Sequence, residues 1–171
     1  MKLKPERMGE YLDFLLKNDQ LEDALSLYVH LIAQNSQNAQ KTPKALQLEL
    51  AQFIAMYPTR AQHLDCEAIL EDTLEKYPEE QSRVWVLRAD YYTRLAQFDR
   101  AREVFDEALD TCADVASFGI LYSAYLKFEQ TFADSSEQGA FDRLEELLDK
   151  RPFLLSNVVL RQSPNNVKEW L

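Results

Sequence analysis

Residues 101–109 read Ala-Arg-Glu-Val-Phe-Asp-Glu-Ala-Leu, and their pattern of small and large apolar residues recurs in three other stretches. The other copies occupy residues 24–32, 66–74 and 140–148. Each copy opens with a small residue, and most of the positions three, four, seven and eight later are apolar. These offsets mark one face of an α-helix. The sequence therefore predicts four similar amphipathic helices.

The copies begin at residues 24, 66, 101 and 140, so successive copies are 42, 35 and 39 residues apart. Periods of this length are typical of repeats built from helical hairpins. An aromatic residue stands 10 to 13 positions before each copy, as Tyr91 does before Ala101, and marks a first helix in each hairpin. Short turns between the two helices are expected at residues 17–20 and 95–98. We therefore expect an all-α fold, a right-handed superhelical solenoid of about four antiparallel helix hairpins.

The expected organisation is one solenoid segment over residues 1–171, with approximate repeats at 5–37, 43–78, 81–113 and 115–152. Residues 153–171 are expected to be a linker and the start of a further repeat, because Trp170 takes the place that Trp85 holds in its own unit. The apolar run over residues 153–160 could be a helix or a buried strand by its length, and a short helix packed on the fourth repeat is favoured. Pro78 and Pro152 are each expected to end a helix, since proline cannot continue one. We expect the chain to be a fragment of a longer array, because repeats bury their faces against neighbours.

The expected core consists of the apolar residues that recur at helical spacing. Aromatic side chains at these positions are expected between helices, although Tyr92 and Tyr122 are also candidates for an outward face. The predicted repeat core comprises Phe14, Ala24, Tyr28, Phe53, Leu70, Leu74, Trp85, Tyr91, Ala101, Phe105, Ala108, Leu109, Phe128, Leu144 and Leu148.

Composition narrows the classes of function. The formal net charge is -10, and nucleic-acid binding normally needs clustered Lys and Arg, so a phosphate-tracking surface is disfavoured. The sequence has no apolar run of about 18 residues, which a membrane-spanning helix requires. With only 3 glycines, the chain offers few tight turns and fits a helical protein.

Nothing in the sequence indicates catalysis. It contains no Gly-rich phosphate loop, no HExxH and no Gly-x-Ser-x-Gly, so we expect no catalytic residue, no cofactor-binding residue and no metal ligand. His30 and His63 are interpreted as structural or exposed residues, because partner ligands at helical spacing are missing. Cys66 and Cys112 are too far apart for a CxxC motif and are interpreted as small buried thiols.

Charged residues lie on the polar faces of the predicted second helices. Arg102 is expected to pair with Asp106, four residues further on. The acidic clusters are interpreted as solvated faces, with a surface for basic partner segments as the alternative. These clusters are Glu71-Asp72-Glu75, Glu79-Glu80, Asp106-Glu107-Asp110 and Glu145-Glu146-Asp149.

The aromatic first helices and the Ala-Arg-x-Val-Phe-x-x-Ala-Leu second helix resemble the half-a-TPR (HAT) repeats of RNA-processing proteins. Residues 8–24, 85–109 and 151–170 are similar, in the same order, to the middle of SYF-type splicing factors, the XPA-binding protein two family. The most specific block is Arg-Pro…Leu-Arg-Gln-x-Pro…Trp. Its family-motif residues are Arg151, Pro152, Leu160, Arg161, Gln162, Pro164 and Trp170.

The resemblance implies a non-enzymatic scaffold of the spliceosome that acts in the nucleus. Its expected partners are NineTeen-complex components, a Crooked-neck-type HAT protein and the intron-binding complex with its Aquarius-type helicase. Self-association is also expected of some HAT scaffolds, and any RNA contact would be indirect or weak. Two alternatives remain at this point: a generic TPR-like adaptor of another complex, and a helical-repeat RNA-binding protein.

Overall fold

The computed structural model describes residues 7–33, 42–135 and 138–162. Over these residues the chain forms eight α-helices and no strand, which confirms the predicted all-α class. None of these helices has the length and apolar character needed to cross a membrane. The helices are α1 (Met8–Lys17), α2 (Leu21–Ala33), α3 (Pro43–Met56), α4 (Cys66–Lys76), α5 (Gln81–Arg94), α6 (Phe98–Thr111), α7 (Val115–Asp134) and α8 (Ala140–Gln162).

The chain divides into two compact units. The first unit contains α1 to α4 and the end of α5, residues 90–97. The second unit contains residues 79–89 and the helices α6, α7 and α8. Within each unit, successive helices pack on one another: α1 on α2, α2 on α3 and α3 on α4 in the first, and α6 on α7 and α7 on α8 in the second.

Two hairpin turns have the same backbone design. After α1, Asp19 has a φ of 57°, and the N–H of Gln20 donates to the carbonyl of Leu15 at 3.0 Å. After α5, Ala96 has a φ of 58°, and the N–H of Gln97 donates to the carbonyl of Tyr92 at 2.9 Å. In both turns a residue in the left-handed conformation is followed by a residue whose N–H donates to a carbonyl five positions earlier. This arrangement is the Schellman motif, which ends a helix. The short turns expected at both places are thereby confirmed.

Three helices begin at a side chain that accepts a hydrogen bond from a backbone N–H group in the first turn. Pro43 occupies the first turn of α3, and the Thr42 hydroxyl accepts from the N–H of Ala45. Asp65 caps α4 by accepting from Ala68, and Asp114 caps α7 by accepting from Ser117 at 2.8 Å. Each cap satisfies a donor that the helix itself leaves unpaired.

The first unit buries Leu12, Leu15, Leu25, Ile54 and Leu70 between its helices. The second unit buries a corresponding set on α6, α7 and α8. That set includes Ala101, Val104, Phe105, Ala108, Leu109, Phe118, Leu121, Tyr122, Tyr125, Leu144, Leu147 and Val158.

The predicted core residues are distributed between buried and half-buried positions, with two exceptions. Phe53, Tyr91 and Phe128 are half-buried. The remaining core predictions that lie in the interior are Ala24, Tyr28, Leu70, Leu74, Trp85, Ala101, Phe105, Ala108, Leu109 and Leu144. Tyr92 and Tyr122, the candidates for an outward face, are both buried, so that alternative is wrong.

Phe14 and Leu148 are the exceptions, because they are 55% and 48% exposed. On α1 the buried stripe is formed by Leu12 and Leu15, and Phe14 lies about 100° around the helix from Leu15. On α8 Leu147 is buried, and Leu148 lies about 100° around the helix from it. The repeat pattern identified the right helices but not the inward side chain at these two positions.

Pro78 ends a helix as predicted, because α4 stops at Lys76 and a short 3-10 turn follows over Pro78–Glu80. Pro152 does not, since α8 continues through it to Gln162. A proline inside a helix removes one backbone hydrogen bond and costs about 3 kcal/mol. The continuation is stabilised by Val158, which is fully buried, and by Arg161, which hydrogen-bonds α6. The predicted helix end at Pro152 is therefore wrong, whereas the helix favoured over residues 153–160 is present as the continuation of α8.

Candidate protein-docking groove

A buried carboxylate links the three helices of the second unit. Glu129 on α7 is 1% exposed. The Nε of Arg102 on α6 donates to Glu129 Oε1 at 2.7 Å, and its Nη2 lies 3.4 Å from Oε2. The Nε of Arg143 on α8 lies 3.5 Å from the same Oε2. One negative charge is thus shared between cations from the two flanking helices.

The predicted partner of Arg102 was Asp106, and that prediction is wrong. Arg102 instead reaches Glu129 and, on its own helix, Asp99 at 2.9 Å. Burial alone lowers the pKa of Arg102, but the hydrogen bond and charge of Glu129 outweigh it, so the net direction is upward. A charge pair is stronger where water is excluded than on an exposed helix face, so the buried acid is the preferred partner.

Aromatic rings support the Arg102 guanidinium. Its central carbon lies 5.5 Å from the ring centre of Phe128 and 5.3 Å from that of Phe132, both on α7. The rings of Phe128 and Phe132 pack edge to face, with their centroids 4.9 Å apart. Cation–π contacts of this kind hold the planar side chain in one orientation. The buried ion pair is therefore rigidly placed.

A groove of about 520 Å³ opens beside this ion pair, between α6 and α8 and over α7. Leu109, Tyr125 and Leu147 give it an apolar lining, and Phe153 at its side is 68% exposed. The remaining lining residues are Arg102, Asp106, Asp110, Glu129, Arg143, Glu146, Lys150 and Leu154. Apolar side chains bordered by charged ones are characteristic of sites that bind other proteins.

The ionisation of Asp106, a groove residue, is affected by its surroundings. Burial raises the pKa of Asp106, repulsion from Asp110 adds to the rise, and a hydrogen bond from the Tyr125 hydroxyl opposes it. The same neighbours raise the pKa of Tyr125, with burial as the largest cause. The groove therefore carries two carboxylates of α6, one helical turn apart, that repel each other.

The acidic clusters predicted on the polar faces are mostly exposed, as the solvated interpretation requires. Some of their members are held by cations four residues further on. Asp72 pairs with Lys76 at 2.7 Å, and Glu146 pairs with Lys150. These exposed pairs contribute little to stability, because water screens them.

Two arginines of the family-motif block contact other helices of the second unit. Arg161 at the end of α8 donates from Nε to the carbonyl of Cys112 at 3.1 Å and from Nη2 to the carbonyl of Leu109 at 3.0 Å. These carbonyls end α6, where a cation is favourable. Arg151 lies 5.6 Å from the ring centre of Tyr122. Leu160 and Gln162 are exposed, while Pro164 and Trp170 lie outside the described residues.

A buried polar network in the first unit was missed by the sequence analysis. Gln47 on α3 donates from Nε2 to Asp72 Oδ2 at 2.6 Å and to Thr73 Oγ1 at 3.2 Å on α4. The Thr73 hydroxyl in turn donates to the carbonyl of Ile69. The available signal was the spacing, because Gln47 lies four residues before Ala51 and seven before Ile54, both in the core.

The remaining candidates for chemistry are structurally ordinary. Cys66 and Cys112 are buried free thiols, as predicted, and burial raises the pKa of both. His30 and His63 are exposed. Among the described residues, no group of three or more His, Cys, Asp or Glu side chains is placed to hold a metal ion.

Comparison with known proteins places the chain in a family. The family model for the middle HAT repeat of the pre-mRNA-splicing factor SYF1 matches residues 8–142 and 137–171. The chain belongs to the SYF1 family. This match confirms the resemblance found in the sequence and, with the helical structure, the HAT-repeat fold class.

Relatives from distant eukaryotes align along the chain. The pre-mRNA-splicing factor SYF1 of Homo sapiens is 30% identical over 99% of this chain, and that of Dictyostelium discoideum is 28% identical over 100% of it. The pre-mRNA-splicing factor cwf3 of Schizosaccharomyces pombe is 29% identical over 100% of it. The chain spans only 22%, 22% and 24% of the lengths of these three relatives.

Proposed function

We propose that this chain is a scaffold segment in pre-mRNA splicing, which holds other splicing proteins and performs no catalysis itself. The observation that carries the proposal is the SYF1 middle HAT-repeat match over residues 8–142 and 137–171, since the relatives are pre-mRNA-splicing factors. The nucleus is the proposed compartment, because pre-mRNA splicing takes place there.

The structure supports a binding role in two ways. Side chains of the second unit are held in place by the buried Glu129 ion pair and by the Arg161 cap, which gives a partner a preformed surface. Large apolar side chains stand exposed on α8, among them Phe153 and Leu160. A preformed surface with exposed apolar anchors lowers the entropy that a partner must lose on docking.

The proposed partners are NineTeen-complex components, a Crooked-neck-type HAT protein and the intron-binding complex with its Aquarius-type helicase. RNA contact is proposed to be indirect or weak, in keeping with a net charge of -10. Self-association through another copy of the chain is a further part of the proposal.

Affinity capture from nuclear extract tests the proposal. The whole chain serves as bait, its folding is verified by circular dichroism, and the bound proteins are identified by mass spectrometry with and without nuclease. A matched control bait is an unrelated helical-repeat protein of similar length and net charge. Nuclease-resistant enrichment of NineTeen-group or intron-binding proteins over the control supports the scaffold. Enrichment that disappears with nuclease contradicts it and favours an RNA-binding role.

A further inference from the structure

The groove of the second unit has the length and lining of a site for a short peptide segment. Along α8 the lining residues run from Arg143 to Leu154, which corresponds to about 17 Å at 1.5 Å per residue. A helix of about three turns has the same length. The groove volume of about 520 Å³ is within the usual range for pockets that bind small ligands.

The groove carries more negative than positive side chains. Four carboxylates and three cations line it. Each cation is placed against an acid of the same unit: Arg102 and Arg143 against Glu129, and Lys150 against Glu146. Asp106 is in addition hydrogen-bonded to Tyr125 and attracted by Lys150, and Asp110, one turn away on α6, adds a second carboxylate that repels it. An incoming cation next to them would relieve that repulsion.

The apolar part of the groove lies beside this acidic part. Phe153 on α8 is 68% exposed, although burial of a phenylalanine ring is favourable, and Leu154 next to it also lines the groove. A partner that covers Phe153 must therefore bring aliphatic or aromatic side chains. A partner that reaches Asp106 and Asp110 must bring Lys or Arg on an adjacent side of the same segment.

We infer that this groove binds an amphipathic helical segment of another protein, about three turns long, whose apolar side chains cover Phe153 and whose Lys or Arg side chains meet Asp106 and Asp110. The inference rests on the proposed scaffold function and specifies where one partner docks and the chemistry that is recognised. Helix-in-groove docking of this type uses anchors at every third or fourth residue.

A synthetic peptide provides the probe. It is helical, about three turns long, fluorescently labelled, and carries leucines at offsets of 0, 3, 4 and 7 with lysines on the flanking sides. Its binding to the whole chain is measured by fluorescence anisotropy. A second peptide, with glutamate in place of every lysine, tests the charge requirement.

Two variants test the groove, and each has a matched control outside it. Asp110→Lys reverses a groove charge on α6, and Glu107→Lys makes the same change at an exposed position of α6 away from the groove. Phe153→Ala removes the exposed groove ring, and Phe141→Ala removes a ring on α8 that is 73% exposed and not part of the lining. Because all four positions are exposed, the fold is expected to survive each substitution.

We expect Asp110→Lys and Phe153→Ala each to weaken binding of the lysine peptide at least about fivefold, and both controls to change it less than about twofold. Equal effects of groove and control variants, or equal binding of the glutamate peptide, would overturn the inference. So would a result in which the peptide fails to bind while Phe153→Ala abolishes self-association in sedimentation, since the occupant would then be a second copy.

The two proposals fail in different experiments. If nuclear capture succeeds but the groove variants bind the peptide like the unmodified chain, the scaffold function stands and the groove inference is wrong. If the groove variants behave as expected but splicing proteins are not captured, the groove inference stands and the proposed scaffold function is wrong.

Discussion

Replacing Glu129 with alanine is expected to destabilise the second unit far more than the same change at an exposed ion pair. Glu129→Ala removes the acid that faces Arg102 at 2.7 Å and Arg143 at 3.5 Å, and leaves both guanidinium groups without it. Removing one partner of a buried ion pair typically costs about 3–5 kcal/mol. We expect the lower end, about 3 kcal/mol, because Arg102 keeps its bond to Asp99 and Arg143 is partly exposed.

Glu103 provides the matched control. It pairs with Arg100 at 2.8 Å, nearly the same distance as in the Glu129–Arg102 pair, but its side chain is 64% exposed. Both substitutions end in alanine within a helix, so differences in helix propensity largely cancel. Glu103→Ala is expected to change the free energy of unfolding by less than about 1 kcal/mol, because exposed pairs are screened by water.

The assay is urea unfolding followed by far-UV circular dichroism, with tryptophan fluorescence as a second probe because the chain divides into two units and Trp85 lies in the second. If Glu129→Ala costs no more than Glu103→Ala, water reaches the Glu129 pair and the argument from burial is wrong. A double-mutant cycle with Arg102→Met gives the coupling directly, and we expect about 1.5 kcal/mol or more. Additive single effects would show that Arg102 and Glu129 do not interact energetically.

Three further predictions concern the backbone, the Arg161 cap and the tyrosines. Ala96→Gly is expected to stabilise the chain by about 1 kcal/mol, because an alanine at a φ of 58° is strained and glycine is not; a lower urea midpoint would contradict this. Arg161→Met is expected to cost about 1–2 kcal/mol, since the carbonyls of Cys112 and Leu109 lose a charged donor; no change in the unfolding midpoint would show that water replaces it. Burial, and then Glu49, raise the pKa of Tyr28, while burial and nearby groups raise the pKa of Tyr91 to about 12. Because the folded chain favours the protonated phenols, stability should be complete below about pH 10, where unfolded tyrosine ionises, and should fall as the pH rises toward 12. The absorbance change that is lost in the Tyr28→Phe and Tyr91→Phe variants reports on these two phenols, and its appearance near pH 10 while the helices are still intact would contradict that order.

The local structure was predictable because it depends on neighbouring residues. Apolar residues at offsets of 3, 4, 7 and 8 predict an amphipathic helix from the segment's own sequence, and the four copies lie in α2, α4, α6 and α8. The two short hairpin turns and the end of α4 before Pro78 followed from the same local rules. The family resemblance was equally accessible, since it rests on the order of residues alone.

The side-chain partners were not predictable to the same degree. Arg102 has an acid four residues away in Asp106, and local spacing favours that pair, yet its partner Glu129 is 27 residues further along the chain. Only the packing of α6 on α7 brings the two together away from water. The groove also depends on helix packing and could not be predicted from local spacing, because its lining residues come from three helices.

The sequence by itself determined that the chain is helical, where the four second helices lie, and to which family it belongs. The tertiary structure alone decided that α8 passes through Pro152, that Arg161 caps α6 from 52 residues away, and that Phe153 stands exposed beside two carboxylates. Helix formation depends on contacts between residues three and four positions apart, and the spacing of apolar residues in the sequence shows where such contacts can form. Whether a helix continues through a proline, and which partner a charged side chain takes, depends on groups that are distant in the sequence. These groups contribute to stability only after the helices have packed and excluded water.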